Sequence, residues 1–224
     1  MIINNTYFKA DIYLPHAKPN ASDGVVEVEN EVLDFINEYA RDCLFKSLGS
    51  VLFYEFIAEL DPLQTNGLKV GSVAKWNDLL NGKSYTDSQG NAVVWRGIRY
   101  KSIDSLDDPD RSFLANYVYF HYESNDFITR SDAGTQREQA RNAEMVMPTQ
   151  KVVKAWRKFI KQVQGSVITP KTHVERYGFA VDYYGGGDEE VSLYRFINDS
   201  NDLVEDTYEG FNPKSWEDIN QFGI

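Results

Sequence analysis

The stretch NAEMVMPTQKVVKAWRKFI, residues Asn142–Ile160, decides the fold class of this chain. From Val152 onward its apolar residues recur every three or four positions, which gathers them on about a third of a helix circumference. Pro148 precedes the pattern, at a place where the missing N–H of proline costs a helix nothing. We therefore predict an amphipathic helix over about 149–164, whose apolar face contains Val152, Val153, Trp156, Phe159, Ile160 and Val163.

The opposite face of this predicted helix is basic, although the chain as a whole is acidic. Residues 146–176 carry seven basic residues and one acidic residue, whereas the 224-residue chain has 23 basic and 34 acidic residues, a net charge of −11. A basic stripe of this kind is often a solvated face. It can also bind the acidic surface of a neighbouring copy or of an acidic partner, and this second explanation assigns partner binding to Lys151, Lys154, Lys158 and Lys161.

A second helix, predicted at about 112–124, is aromatic on nearly all sides. Its sequence is SFLANYVYFHYES, and a helix that is apolar all round is buried on every side or is covered partly by another subunit. We predict that Trp156 is a core residue packed against this helix near Tyr117 and Val118.

The rest of the pattern predicts a mainly α fold, a bundle of about four to five helices with a small β-hairpin and extended terminal arms. Helical spacing predicts helices at about 28–48 and 51–60, and the SQGN turn predicts a hairpin with strands at about 83–87 and 91–96. A further short helix is predicted at SLYRFIND. The predicted organisation is an N-terminal arm at 1–24, a helical core with the hairpin at 25–165, and a loop-rich C-terminal region at 166–224.

Both ends of the chain combine turn-forming residues with spaced hydrophobic residues. Exposed aromatic residues usually mark a contact, so one prediction is that both ends are arms that become ordered on a neighbouring molecule. The alternative is that they fold back onto their own subunit. The arm prediction adds the C-terminal residues Phe211, Trp216, Ile219, Phe222 and Ile224 to the partner-binding set.

Signatures of catalysis, metal binding and cofactor binding are missing from the sequence. His16, His121 and His173 lack the spacing of metal ligands, and His121 falls on an apolar stripe, where we predict a hydrogen-bonded core histidine. The segment YYGGGDEEV has neither P-loop nor dinucleotide-binding spacing, and we interpret it as a turn. The single cysteine, Cys43, excludes an internal disulfide. We therefore predict a protein that is not an enzyme and has no metal and no cofactor.

The N-terminus and the hydropathy pattern predict a soluble protein made in a reducing compartment. The first residues lack a basic segment followed by an apolar one, so they do not resemble a signal peptide. No apolar run approaches the roughly 18 residues that a membrane span needs. We expect no membrane contact.

Five segments taken in order resemble a known family. They are FKSLGSVLFYEFIAEL, the hairpin GKSYTDSQGNAVVWRGI, the aromatic helix LANYVYFHYESND, the basic helix NAEMVMPTQKVVKAWRKFI and the terminal INQFGI. Together they resemble the head–tail connector proteins of tailed bacteriophages, also called adaptor or neck-ring proteins, most closely those of phages that infect gut Bacteroides-type bacteria. The resemblance covers about residues 28–164 and the last few residues.

The resemblance implies a structural virion protein without catalytic residues. Such subunits form a closed homo-oligomeric ring, typically dodecameric, that binds the portal protein and a tail protein or second neck protein. The ring continues the DNA channel, and genomic DNA passes through it without specific binding. The expected location is the neck of the virion, after synthesis in the host cytoplasm. The net charge leaves a different function class open, a monomeric acidic binding module such as an inhibitor or a DNA mimic.

Overall fold

The computed structural model describes most of the chain, namely residues 2–14, 26–64, 66–100, 112–126, 129–131, 134–136, 149–165 and 190–217. Within these ranges six α-helices occur: α1 Val26–Leu48, α2 Ser50–Glu59, α3 Ala74–Asn81, α4 Phe113–Asp126, α5 Thr149–Val163 and α6 Leu193–Leu203. Two antiparallel hairpins accompany them, β1 Lys83–Thr86 with β2 Ala92–Trp95, and β3 Thr129–Ser131 with β4 Gly134–Gln136. The mainly α fold class with a small hairpin is confirmed.

Helix α4 is the central helix of the described core. Every residue from Ser112 to Tyr119 is buried, and α4 packs against both α1 and α5. Tyr117 and Val118 are fully buried, as predicted. The aromatic residues that surround this part of α4 are therefore covered by its own subunit, which is one of the two arrangements that its sequence allowed.

The last turn of α1 is completed by the C-terminal segment. The N–H groups of Asn212 and Lys214 donate to the carbonyl oxygens of Leu48 and Lys46, at 3.2 and 2.8 Å. The last carbonyls of a helix have no partner inside the helix, so this segment satisfies two of them. Gly49 forms the break between α1 and α2 with a φ of +83°, and a Cβ at this position would lie 2.6 Å from the carbonyl oxygen of Asn212.

Helix α3 and the first hairpin form a second local unit, in which only the hairpin was predicted. The predicted strands at 83–87 and 91–96 agree with β1 and β2 within one residue, with Lys83 opposite Trp95 and Thr86 opposite Ala92. Trp76, Leu79 and Leu80 of α3 are buried. The chain after β2 caps α3, since the N–H groups of Ile98 and Arg99 donate to Leu79 and Leu80.

The two terminal segments, residues 2–14 and 204–217, contain no α-helix. Residues 2–14 contain two short 3₁₀ turns, at Asn5–Tyr7 and Ala10–Ile12, the second of which packs against α4 and α5. Most hydrophobic side chains of this segment are buried in the subunit's own core, namely Ile3, Tyr7, Phe8, Ile12 and Leu14. For the described parts of both ends, the fold-back alternative is the one observed.

Candidate interaction surfaces

The basic face of α5 is an exposed surface, as its periodicity predicts. Lys151, Lys154 and Arg157 are exposed and Lys158 and Lys161 are partly exposed, while the opposite face buries Ala155, Phe159, Ile160 and Val163. The basic side chains line a shallow open groove together with Gln150 and Val153. The structure thus places all four predicted partner-binding lysines on one surface.

An acidic residue of the N-terminal segment lies in the middle of this basic face. Asp11 Oδ2 accepts a hydrogen bond from Lys154 Nζ at 2.5 Å and lies 3.7 Å from Lys158 Nζ. The hydrogen bond from Lys154, aided by the charges of Lys158 and Lys151, lowers the pKa of Asp11. The basic face is therefore neither wholly solvated nor reserved for another molecule, since it already binds one carboxylate of its own chain.

Trp216 does not serve as an exposed anchor in this subunit, and this part of the arm prediction is wrong. Its side chain is 6% exposed, and its indole Nε1 donates to Tyr194 Oη at 3.0 Å. The backbone around it is held by Gln164, which accepts from the N–H of Trp216 at 2.9 Å and donates to its carbonyl at 2.7 Å. The physical reason is that α4, α5 and α6 together form a pocket for the indole that no local pattern reveals.

Trp216 completes an aromatic cluster with Tyr117, Trp156 and Phe159. The ring centroids of Phe159 lie 4.9 Å from those of both Tyr117 and Trp216. Trp156 packs on α4, as predicted, with its ring 6.1 Å from Tyr117 and 4.5 Å from Phe120. Its side chain is only partly buried, however, because it lies at the edge of the cluster, where its Nε1 donates to the carbonyl of Glu217 at 2.9 Å.

The remaining predicted C-terminal anchors differ in their placement. Phe211 is partly buried and its ring lies edge-on to Tyr194, with centroids 5.6 Å apart. Ile219, Phe222 and Ile224 lie outside the described residues. Partner binding by these four residues stays a prediction.

An exposed apolar surface on α2 was not predicted. Val51 and Tyr54 are 54% and 60% exposed, and Phe45 of α1 lies beside them with its ring 6.3 Å from Tyr54. The sequence SVLFYEFIAE has apolar residues on more faces of the helix than one contact can bury. This excess of apolar residues is the feature of the sequence from which an exposed apolar surface could have been predicted.

A buried ionic cluster joins the hairpin to α6. Arg195 is 3% exposed; its Nη2 lies 2.9 Å from Asp87 Oδ2 and its Nε lies 3.3 Å from Asp199 Oδ2. Tyr85 donates to the same oxygen of Asp199 at 2.8 Å. Burial raises the pKa of Asp199, whereas hydrogen bonds from Asn91 and Gln89 outweigh burial and lower the pKa of Asp87. The side chains of Arg195, Asp87 and Asp199 are at most 5% exposed, so this cluster has the character of a structural joint.

His121 is packed among aromatic rings, but its predicted hydrogen bonding is not observed at Nε2. Its ring stacks on Tyr39 with a centroid distance of 4.6 Å and lies 4.4 Å from the Tyr117 ring. In the described part of the chain, Nε2 has no hydrogen-bond partner. Burial, with the nearby charge of Lys46, lowers the pKa of His121 from 6.5 to about 4.

Neither a metal site nor a membrane-spanning helix occurs among the described residues. No group of three or more histidine, cysteine and acidic side chains is placed there to hold a metal ion. None of the described helices combines the length and the apolar character that a bilayer crossing requires.

Comparisons with protein-family models, with curated proteins and with solved structures give no match for this chain.

Proposed function

We propose that this chain is a structural subunit of a bacteriophage neck, which forms a ring between the portal and the tail and continues the DNA channel. The proposal starts from the five sequence segments that resemble head–tail connector proteins. In this function the protein binds copies of itself, the portal protein and a tail or second neck protein. It performs no catalysis and uses no cofactor.

One structural observation supports this proposal more than any other. The helix pair, the hairpin, the aromatic helix and the basic helix of the resemblance correspond to α1–α2, β1–β2, α4 and α5, and buried residues from all of them join one core. The segments on which the resemblance depends therefore belong to a single packed body.

The outer surfaces of the subunit also suit assembly into a ring. The basic face of α5 and the apolar surface on α2 are different in chemistry and lie on different helices. A ring needs heterologous contacts, in which one surface of a subunit meets a different surface of the next. A subunit with two unlike exposed surfaces meets that requirement.

The proposal is tested on virions of the phage that encodes the chain. Mass spectrometry of purified particles is expected to find the protein in a fixed ratio to the portal protein. Disruption of its gene is expected to give heads and tails that do not join, and expression of the intact gene in trans is expected to restore joining. Absence of the protein from particles would overturn the proposal and would favour a monomeric acidic inhibitor or DNA mimic.

A further inference from the structure

The apolar surface on α2 has an arginine at its edge. Phe45, Val51 and Tyr54 form this surface, and all three side chains are exposed. The rings of Phe45 and Tyr54 both pack on the buried ring of Phe53, with centroid distances of 5.4 and 5.3 Å. The guanidinium carbon of Arg41 lies 5.4 Å from the centroid of the same Phe53 ring. The guanidinium is therefore placed at the border of the exposed apolar surface.

Arg41 has no carboxylate partner within the described part of the subunit. Its side chain is exposed, and none of the ion pairs found there includes it. The attraction between its charge and the Phe53 ring restricts the positions of the guanidinium. Tyrosine, phenylalanine and arginine are enriched in protein interfaces, and tyrosine and arginine are frequent where most of the binding energy arises. The composition indicates a surface whose partner offers apolar side chains together with a carboxylate.

The end of α6 and the turn that follows it, residues 202–206, have the complementary chemistry. Leu203 and Val204 are 48% and 65% exposed, and the acidic residues beside them, Asp202, Glu205 and Asp206, are exposed as well. Among the described residues none of these three carboxylates forms an ion pair. This segment, called the acidic turn below, thus offers aliphatic side chains flanked by carboxylates.

The acidic turn is fixed by hydrogen bonds of the residues that follow it. The N–H of Thr207 donates to the carbonyl of Val204 at 3.3 Å, and its hydroxyl donates to the same oxygen at 2.8 Å. Tyr208 is buried, and it donates from its N–H to Asn201 Oδ1 and from its hydroxyl to the carbonyl of Lys75, both at 2.7 Å. A segment that is already ordered loses little conformational entropy on binding.

We propose that the acidic turn of one copy of this chain binds the apolar surface on α2 of a second copy, with Arg41 paired to a carboxylate of the turn. The inference rests on the proposed function, because it assigns a contact between neighbouring subunits of the ring. A second copy supplies the apolar side chains and the opposite charge on one ordered segment, and complementary charges fix the orientation of such a contact. The contact joins two unlike surfaces, which is the type of contact that closes a ring.

Charge reversal of each surface tests the proposal on the full-length chain. The first variant carries Arg41→Glu, and the second carries Asp202→Lys with Glu205→Lys. Asp206 is left unchanged, because its φ of +59° lies in the left-handed region, which aspartate adopts more readily than lysine. Sedimentation velocity over a concentration series is expected to show self-association of the wild type, weakened at least about tenfold in each variant.

Lys69→Glu is the matched control for Arg41→Glu. Lys69 is exposed on the loop between α2 and α3, forms no ion pair with the described residues, and its substitution changes the net charge by the same amount. It is expected to leave self-association unchanged. Equal effects of the two substitutions would assign the loss to net charge and would refute the contact.

A one-to-one mixture of the two charge variants restores opposite charges in both contacts between unlike chains. The mixture is therefore expected to associate more tightly than either variant alone. Far-ultraviolet circular dichroism and thermal unfolding establish that both variants are folded before mixing. A mixture that associates no better than its components, or a wild type that does not self-associate, would overturn the proposal.

Disulfide trapping identifies the two surfaces directly, since a disulfide forms only where the Cα atoms approach within about 7 Å. A mixture of Tyr54→Cys chains with Val204→Cys chains is expected to give a covalent dimer on oxidation, while the buried Cys43 stays reduced. The matched control replaces Val204→Cys by Ser88→Cys, at an exposed residue after β1, and is expected to give little dimer. Equal yields would refute the contact.

The outcomes for this interface and for the proposed function are separable. Presence of the protein in virions together with self-association that ignores both surfaces would refute the interface and leave the proposed function standing. Absence from virions together with self-association that depends on both surfaces would refute the proposed function and leave the contact between copies standing.

Discussion

At the scale of single residues, the Arg195 guanidinium is held between two carboxylates with almost no solvent access. Its nitrogen atoms lie 2.9 Å from Asp87 and 3.3 Å from Asp199, and these three side chains are at most 5% exposed. The hairpin and α6 are joined there by charge and hydrogen bonds. A buried pair that loses one partner leaves an uncompensated charge, which is far more harmful than the loss of an exposed pair.

We expect Arg195→Met to lower the free energy of unfolding by about 3–5 kcal/mol, because it leaves Asp87 and Asp199 buried without their cationic partner. The matched control is Arg96→Met, which removes the more exposed pair of Arg96 with Glu190, 2.6 Å apart, and is expected to cost about 1 kcal/mol. Urea denaturation of both variants measures the difference. Equal losses would show that burial of the Arg195 cluster does not govern its contribution.

His121 provides a prediction about pH. Its pKa is about 4 in the folded chain and 6.5 as the unperturbed value, so between these values the unfolded chain binds a proton that the folded chain does not. Stability therefore falls as pH falls from 6.5 towards 4. Because the ring keeps some contact with solvent, we expect a loss of about 1–2 kcal/mol over this window rather than the full value of the shift.

The variant His121→Phe tests this dependence, since phenylalanine keeps the stacking on Tyr39 and Tyr117 but binds no proton. Urea denaturation at pH 7, 6, 5 and 4.5 is expected to give a smaller loss of stability for the variant than for the wild type. Parallel curves for the two proteins would assign the pH dependence to other groups. The nearby carboxylate of Asp42 titrates below the pH range of this test, because hydrogen bonds from Lys46 and Tyr117 outweigh burial and lower its pKa.

At the scale of elements, the junction between α1, α2 and the C-terminal segment depends on Gly49. A side chain there meets two obstacles, a positive φ and the backbone of Asn212. Gly71 has almost the same φ, +84°, but nothing lies within 4 Å of the position of its Cβ. Substitution of each glycine by alanine therefore separates the cost of backbone strain from the cost of a steric clash.

We expect Gly71→Ala to cost about 1 kcal/mol from backbone strain alone. Gly49→Ala is expected to cost at least about 2 kcal/mol more, since it must also displace the segment that satisfies the last carbonyls of α1. Thermal unfolding of the two variants measures the difference. If they unfold at the same temperature, the docking of residues 212–214 on α1 contributes little to stability.

The predicted elements are those with a strong local periodicity. The bounds of α1, α2, α4 and α5 agree with the sequence within about two residues, which is the usual uncertainty of helix ends. Helix α3 was missed because AKWNDLLN has only eight residues, too few for a clear period. The burial of its apolar face depends on residues that are distant in the sequence. The rings of Phe56 and Tyr208 lie 5.8 and 6.3 Å from the ring of Trp76.

At the scale of the whole molecule, the C-terminal segment is part of the folded subunit through Trp216. We expect limited trypsin digestion of the free subunit to cleave slowly after Lys214, because the N–H of Lys214 is hydrogen-bonded to α1 and Trp216 is buried two residues later. Trp216→Ala is expected to speed this cleavage at least about tenfold by releasing the segment.

Mass spectrometry of the digestion products follows cleavage at Lys214 directly. The matched control is Tyr54→Ala, which removes an aromatic side chain that is 60% exposed and distant in sequence, and is expected to leave the rate unchanged. Rapid cleavage after Lys214 in the wild type would instead support an arm that becomes ordered on a partner.

The sequence by itself determined the helical class, the main helices, the hairpin and the separation of a basic face from an apolar face on α5. These features depend on residues three or four positions apart, so the local sequence is sufficient to predict them. Tertiary structure alone decided that Trp216 is buried, that Asp11 lies on the basic face of α5 and that Arg195 joins Asp87 to Asp199. These partners are separated by up to 143 residues, and packing of the whole core sets their distances.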